Sequence, residues 1–353
     1  MSKKKKILIL FIFIFIICIV GGIFYNKFGN SYESLNDVDK SILNEFDEYC
    51  KANNETPIWP NFELENKTIL AVNGRLGGAY IINPKNKISS LFTQEIKMPD
   101  SFSIKVYRIS ALAPQLLSYK MAPGNFNTYS KIYSMFGNEL FYTRYGSESV
   151  SKKICDSSHY LTFLSHESFH YYMQNNWKFS GRFNTEILTE EDINLLETQY
   201  KILTKIQQEL KNLQPNRDNL LKFSKEYVNI VEKRTKANSQ YMENELMAET
   251  EEGTATYIGI KSSKIVNYDF DIMKFSLDGI NSNEIYFDTI IPTIKDGKMN
   301  LSTLASNWIY ETGTQLCMLL DELEVPNWKE KLNAQTKQSP VTIYSLLKEY
   351  INN

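Results

Sequence analysis

The chain has 353 residues, of which 42% are hydrophobic and 23% charged, with a net charge of −2. That length can bury one large core or two small ones. The ordinary composition excludes a disordered or collagen-like chain, and the near-neutral charge without an arginine cluster excludes a basic nucleic-acid-binding surface.

The N-terminus stands apart. Four lysines at 3–6 precede Ile7 to Phe24, 18 residues without a charge. Such a run approaches the length that spans the ~30 Å hydrocarbon core of a bilayer. It is expected to be a transmembrane signal anchor over 1–25, inserted in the cytoplasmic membrane through 7–24 with its N-terminus inside. Cleavage near Gly21 or Gly22, giving a secreted protein, and lipidation of Cys18 are the alternatives. Each places the residues from about 30 onward outside the cytoplasmic membrane. There, Cys50, Cys155 and Cys317 leave room for at most one disulfide, or for buried free thiols.

Residues 26–56 read as a juxtamembrane linker followed by a short helix, SILNEFDEYCKA. From 57 to 150 the pattern changes to short β-rich runs, TILAVNG, GAYIINP, SIKVYRIS and ELFYTRYG, each bounded by Asn, Gly or Pro. They predict a small sheet. Beyond 155 the periodicity is helical. A helix capped at Asp156 or Ser157 carries LTFLSHESFHYYMQNN, a second ends before Pro215, and 217–261 predict two more. A stretch with strand character over 265–300 and two further helices close the chain. The fold class expected is therefore α+β: an anchor helix, then one domain over 57–353, sheet-rich over 57–150 and helical over 155–353.

All three histidines of the chain lie within twelve residues, at 159, 166 and 170. His166-Glu167-Ser168-Phe169-His170 is an H-E-x-x-H. On a helix, positions i and i+4 share a face, so two imidazoles can grip one metal ion. Glu167 then lies beside the open coordination position, where it can take a proton from water. Leu161, Leu164 and Phe169 supply apolar faces that bury this helix. His159, about 10 Å along the helix from His166, is too distant to share an ion and reads as a surface or capping residue. Gln174, one turn past His170, reads as a residue that steadies the helix.

Two imidazoles leave a zinc site short of one protein ligand. Positions 173 and 176 are Met173 and Asn176, so a third histidine downstream is excluded. Glu245, Glu249 and Glu252 step by four and three along one predicted helix face, leading into the apolar GTATYIGI. Any of them can complete the site, and another can hold an imidazole through its second nitrogen.

The segment Glu252-Gly253-Thr254-Ala255-Thr256-Tyr257 resembles the E-G-x-A-x-Y pattern of gluzincin-type zinc metallopeptidases, in which a glutamate on a downstream helix completes an H-E-x-x-H site. Residues 310–329, YETGTQLCMLLDELEVPNWK, are similar to a C-terminal helix of bacterial H-E-x-x-H proteins. The resemblance covers 155–330 and implies a zincin-like fold, one Zn2+ ion, Glu252 as third ligand, and Glu249 as its neighbour or a substrate contact, with 189–240 as a helical insertion. Peptide hydrolysis is the activity implied, with Glu167 as general base and a peptide or protein as substrate. Tyr310 and Tyr257 are candidates to donate to the oxyanion, since a phenol donates without charge. Glu251 and Glu249 are available to meet a free amino group. A non-catalytic membrane-tethered surface protein that keeps the metal, and a hydrolase of non-peptide amides or esters, are the competing expectations.

Overall fold

The computed structural model describes residues 3–128, 131–151, 157–179, 183–275 and 283–353. Its chain divides into two compact units, Met1–Pro57 with Glu63–Ser151 and Ser158–Leu164, and Ile58–Phe62 with Lys152–Ser157 and Ser165–Asn353. The first is built on a sheet and the second is helical.

The sheet unit begins with α1 (Lys3–Lys27) and α2 (Asp37–Glu55). Asn36 caps α2 by accepting a hydrogen bond from the Asp39 amide at 2.9 Å, so the segment expected to be linker is already helical from Asp37. Five strands form one sheet: β1 (Ile69–Asn73), β2 (Ala79–Ile82), β3 (Thr93–Glu95), β4 (Val106–Ile109) and, after α3 (Leu117–Met121) and a short β5 (Ser134–Met135) and β6 (Asn138–Glu139) ladder, β7 (Phe141–Tyr145). The order is β3-β4-β2-β1-β7, with β1 and β7 parallel and the other pairs antiparallel. The four β-rich runs of the sequence are β1, β2, β4 and β7. β3 went unread because three residues of Thr-Gln-Glu carry no hydrophobic alternation.

Alternation along the strands buries both faces. Leu70, Val72, Ala79, Ile81, Tyr107, Ile109 and Tyr142 pack with Leu116 and Tyr119. From the other face Tyr80 and Tyr145 donate to Asp39 of α2, at 2.7 and 2.6 Å.

The expected transmembrane helix is corrected here: among the described residues no helix is long and apolar enough to cross a membrane. The apolar run is helical, as α1, but its last turns are engaged by the sheet. A Cβ on Gly22 would lie 2.5 Å from Leu112 Cδ1. Asn26 is buried and donates to the Phe92 carbonyl at 3.0 Å, while Arg108 donates to the Asn26 and Phe28 carbonyls at 2.6 and 3.0 Å.

The surface position expected for His159 is also corrected, although it does stand at the helix start, where its carbonyl accepts from the Phe163 amide at 2.9 Å. Far from the surface, it is 1% exposed, with Nε2 3.1 Å from Glu45 Oε2 and Nδ1 3.3 Å from Thr162 Oγ1. Asp156 and Cys155 lie outside the described residues, so a cystine through Cys155 is not on view; Ser157, the other cap expected, is corrected, since it lies in a turn three residues before the helix that starts at Tyr160. Cys50 and Cys317 are free and buried.

The helical unit takes up the end of α4 (Tyr160–Met173), then α5 (Glu190–Leu210), α6 (Arg217–Ala237), α7 (Ser239–Ile265), α8 (Ile290–Lys295), α9 (Ile309–Glu322), α10 (Trp328–Asn333) and α11 (Ile343–Asn352). α5 starts in a capping box, with the Thr189 side chain and Asp192 satisfying each other's amides. Asn238, at φ −146° and ψ 78°, separates α6 from α7 and caps the latter, which is the break the sequence predicted without a position. A π-helical turn, Leu304–Trp308, leads into α9. Among the described residues, the strand character expected over 265–300 is a two-residue ladder between 274–275 and 283–284.

Candidate metal centre

His166 and His170 share a face of α4 because no Gly or Pro interrupts 157–177 and the i, i+4 spacing does the rest. Phe169 points the other way, edge-on to Trp59, Phe62 and Trp177 at centroid distances of 5.0, 5.3 and 6.2 Å. That aromatic packing fixes the rotation of the helix about its axis and so aims both imidazoles.

They are aimed at Glu252 of α7. His166 Nε2 and His170 Nε2 are 3.1 Å apart, and Glu252 Oε2 lies 3.6 Å from the first and 3.2 Å from the second. Donors at 2.0–2.1 Å from a tetrahedral zinc ion sit about 3.3 Å from one another, so the three edges of this triangle have the size that such an ion requires. The donor set, two imidazoles and one carboxylate, could hold a divalent metal ion such as zinc. Its side chains are not sealed: His166 is 16% and Glu252 22% exposed, while His170 is nearly buried. The residues present therefore fit a zinc ion with one face open. Among the described residues it is the one cluster of its kind.

Supporting contacts hold the donors in place. Gln174 is fully buried, and its Oε1 stands 2.5 Å from His170 Nδ1. Its Nε2 donates to the Glu251 carbonyl and Thr254 Oγ1, at 2.9 and 2.8 Å. The amide nitrogen must face those acceptors, so Oε1 accepts from Nδ1–H and turns Nε2 of His170 toward His166 and Glu252. Thr256 Oγ1 lies 3.4 Å from His166 Nδ1 in a parallel role.

The charges are strongly coupled. Burial alone would lower the His170 pKa, but hydrogen bonding to Glu252 and the Glu252 and Glu167 charges push it up to about 9. Burial would raise Glu252, yet the two imidazoles hold it well below the usual carboxylate range. Glu167, partly buried beside the triangle, is raised by burial against the opposing pull of the imidazoles. Burial and the Glu252 charge lift Glu251 to about 7.

Tyr310 belongs to this group. Its ring lies nearly parallel to that of His166, with centroids 6.1 Å apart. Burial, then Glu252, holds its phenol protonated well above the ordinary range. Tyr257 does not belong: five residues past Glu252, it leaves the helix on another side. Its hydroxyl donates to Asp321 and accepts from Lys329 at 2.9 Å, among Trp59 and Trp328. Glu245 is also elsewhere, with both oxygens taken by the Arg234 guanidinium at 2.5 and 2.8 Å. Glu249 faces α9, where Thr312 Oγ1 donates to its Oε1 at 2.6 Å.

What sequence reasoning missed is the seam that brings Tyr310 here. α7 and α9 meet backbone to backbone at two glycines: a Cβ on Gly253 would lie 2.4 Å from Gly313 Cα, and one on Gly313 would lie 2.1 Å from the Glu249 carbonyl oxygen. Thr314 Oγ1, whose one proton goes to the Tyr310 carbonyl at 2.6 Å, lies 3.1 Å from the Gly253 carbonyl across the seam. A signal existed, because glycine inside a helix costs about 1 kcal/mol and so marks a close approach.

No family model matches the chain, and no characterised protein or solved structure matches it either.

Proposed function

We propose that this chain is a zinc-dependent peptidase of the gluzincin type, cleaving peptide bonds in a peptide or protein substrate. The observation that carries the reading is the triangle of His166, His170 and Glu252, with zinc-sized edges and Glu167 one residue from a ligand. A purely structural site has no need of an acid beside an open face. Bound zinc supplies Lewis acidity, activating water and polarising a substrate carbonyl.

The protein's own groups do the rest. Glu167, its proton affinity increased by burial, takes a proton from the attacking water and returns it to the leaving amine. Tyr310 keeps its proton and donates a hydrogen bond to the oxyanion. Gln174 holds the Nδ1 proton of His170, keeping that ring in the ligating tautomer.

The test is metal content and hydrolysis of a mixed peptide library by the full-length chain. One equivalent of zinc is expected in the wild type and in Glu167→Gln, and much less in Glu252→Ala. Hydrolysis should be present in the wild type alone. Wild-type protein that takes up no zinc sinks the reading. Zinc uptake without cleavage of any peptide keeps the metal centre and removes the peptidase.

A further inference from the structure

Glu249 is a buried acid for which the metal chemistry has no use. It is 2% exposed, and its Oε2 has no hydrogen-bond partner. The groups facing it are few. Glu245 lies one turn earlier on α7 and Arg234 comes from α6, with Tyr200 of α5 and Tyr227 of α6 nearby. From α9 comes Thr312, the donor to Oε1. Neighbouring Glu311 turns instead to the Met273 amide. On α11, the Tyr344 hydroxyl is directed to Glu232.

Arg234 is the one cation in this group, and its guanidinium is spent on Glu245 in a two-pronged pair and on Gln199 Oε1 at 2.6 Å. A second carboxylate would be an unpaired anion beside Glu245, with one oxygen lacking a partner in the protein. Burying an unpaired charge costs far more than burying a neutral acid. The tyrosine hydroxyls soften that difference and do not reverse it.

We infer that Glu249 serves as an uncharged carboxylic acid whose contact with Thr312 registers α7 against α9, and that it is a positioning residue for the metal centre. The inference rests on the zinc reading above. Glu249 precedes Glu252 by three residues on α7, and Thr312 follows Tyr310 by two on α9. One side-chain contact therefore spans the seam at the level of the site. The glycines allow the helices to approach, and Thr312–Glu249 fixes how far one slides along the other. The burial that excludes a charge also lifts this carboxyl to about 8, helped by the Glu245 charge.

An uncharged acid can be replaced by its amide. Glu249→Gln keeps Oε1 as acceptor for Thr312, and its NH2 takes the place of Oε2–H. Glu249→Ala and Thr312→Val each remove the contact. The experiment measures zinc affinity, by competition with a chromophoric chelator, and thermal unfolding of the metal-free full-length chain. Glu249→Gln is expected to bind zinc within about threefold of wild type, while the other two weaken binding by about tenfold or more, as losses of supporting partners do. If Glu249→Gln binds as weakly as Glu249→Ala, the charge is required and the inference is overturned.

Should wild type bind no zinc, the zinc reading fails and unfolding alone decides the seam. Glu249→Gln melting at or above the wild-type temperature, with Glu249→Ala and Thr312→Val below it, supports the registering contact. Glu249→Gln melting as low as Glu249→Ala removes it.

Discussion

Gly313→Ala tests the seam most directly. Its Cβ would arrive 2.1 Å from the Glu249 carbonyl oxygen and 2.8 Å from Gly253 Cα. Both neighbours are backbone in the middle of a long helix, so no side chain can swing aside. Restoring ordinary contact at roughly 3.3 Å requires α9 to retreat from α7 by about 1.2 Å. The Thr312–Glu249 hydrogen bond, now 2.6 Å, would stretch to about 4 Å and be lost. One buried hydrogen bond costs about 1 kcal/mol, and the overpacked seam adds about 1–3 kcal/mol. Alanine returns about 1 kcal/mol through its helix propensity. The balance is a destabilisation of about 2 kcal/mol, with zinc affinity falling as Tyr310 and Glu252 separate. Urea unfolding of the full-length chain measures the first, and chelator competition the second. A Gly313→Ala protein within about 1 kcal/mol of wild type, binding zinc equally well, would refute the close packing of the two helices.

Gln174→Ala removes the acceptor for His170 Nδ1–H and should weaken zinc binding about 10- to 100-fold, read by the same competition assay. Glu245→Ala strands the buried Arg234 guanidinium and should cost about 3–5 kcal/mol, far more than a solvated helix-face glutamate; urea unfolding reads this. Glu311 is buried and its carboxyl is lifted by burial to about 7, above the value near 4.3 of the unfolded chain. The native state then binds the extra proton, so this residue's contribution to stability is greatest below about pH 4.3 and is lost as pH rises to about 7. Glu311→Gln should flatten that decline and stabilise the protein at pH 8 by about 3 kcal/mol. Parallel unfolding curves for the two proteins across pH 4–8 would dispose of the argument.

Much of this molecule is legible in the chain because it depends on local rules. The i, i+4 placement of His166 and His170, with Glu167 between them, needs only a helix, and the absence of Gly and Pro from 157–177 supplies it. The strands β1, β2, β4 and β7 declare themselves by apolar runs between turn residues. Glu252 followed by Gly253 is likewise readable as a pattern, although Glu245 and Glu249 share its helix face and nothing local separates the three.

That separation is tertiary. Glu245 goes to Arg234, which lies across the Asn238 break, and Glu249 to Thr312, more than sixty residues away. Glu252 alone is left to the imidazoles. Long-range packing likewise drew Tyr310 to His166 and sent Tyr257 to Asp321, although both are tyrosines on predicted helices. The same holds at the N-terminus, where composition describes an apolar run but only the contacts of Gly22, Asn26 and Arg108 show how much of it the sheet holds. Periodicity is a property of neighbours along the chain, so sequence determined the elements and the metal-gripping pair. Partnership between side chains distant in sequence depends on which helix faces meet, and that was decided by the packing of α7 against α4, α6 and α9.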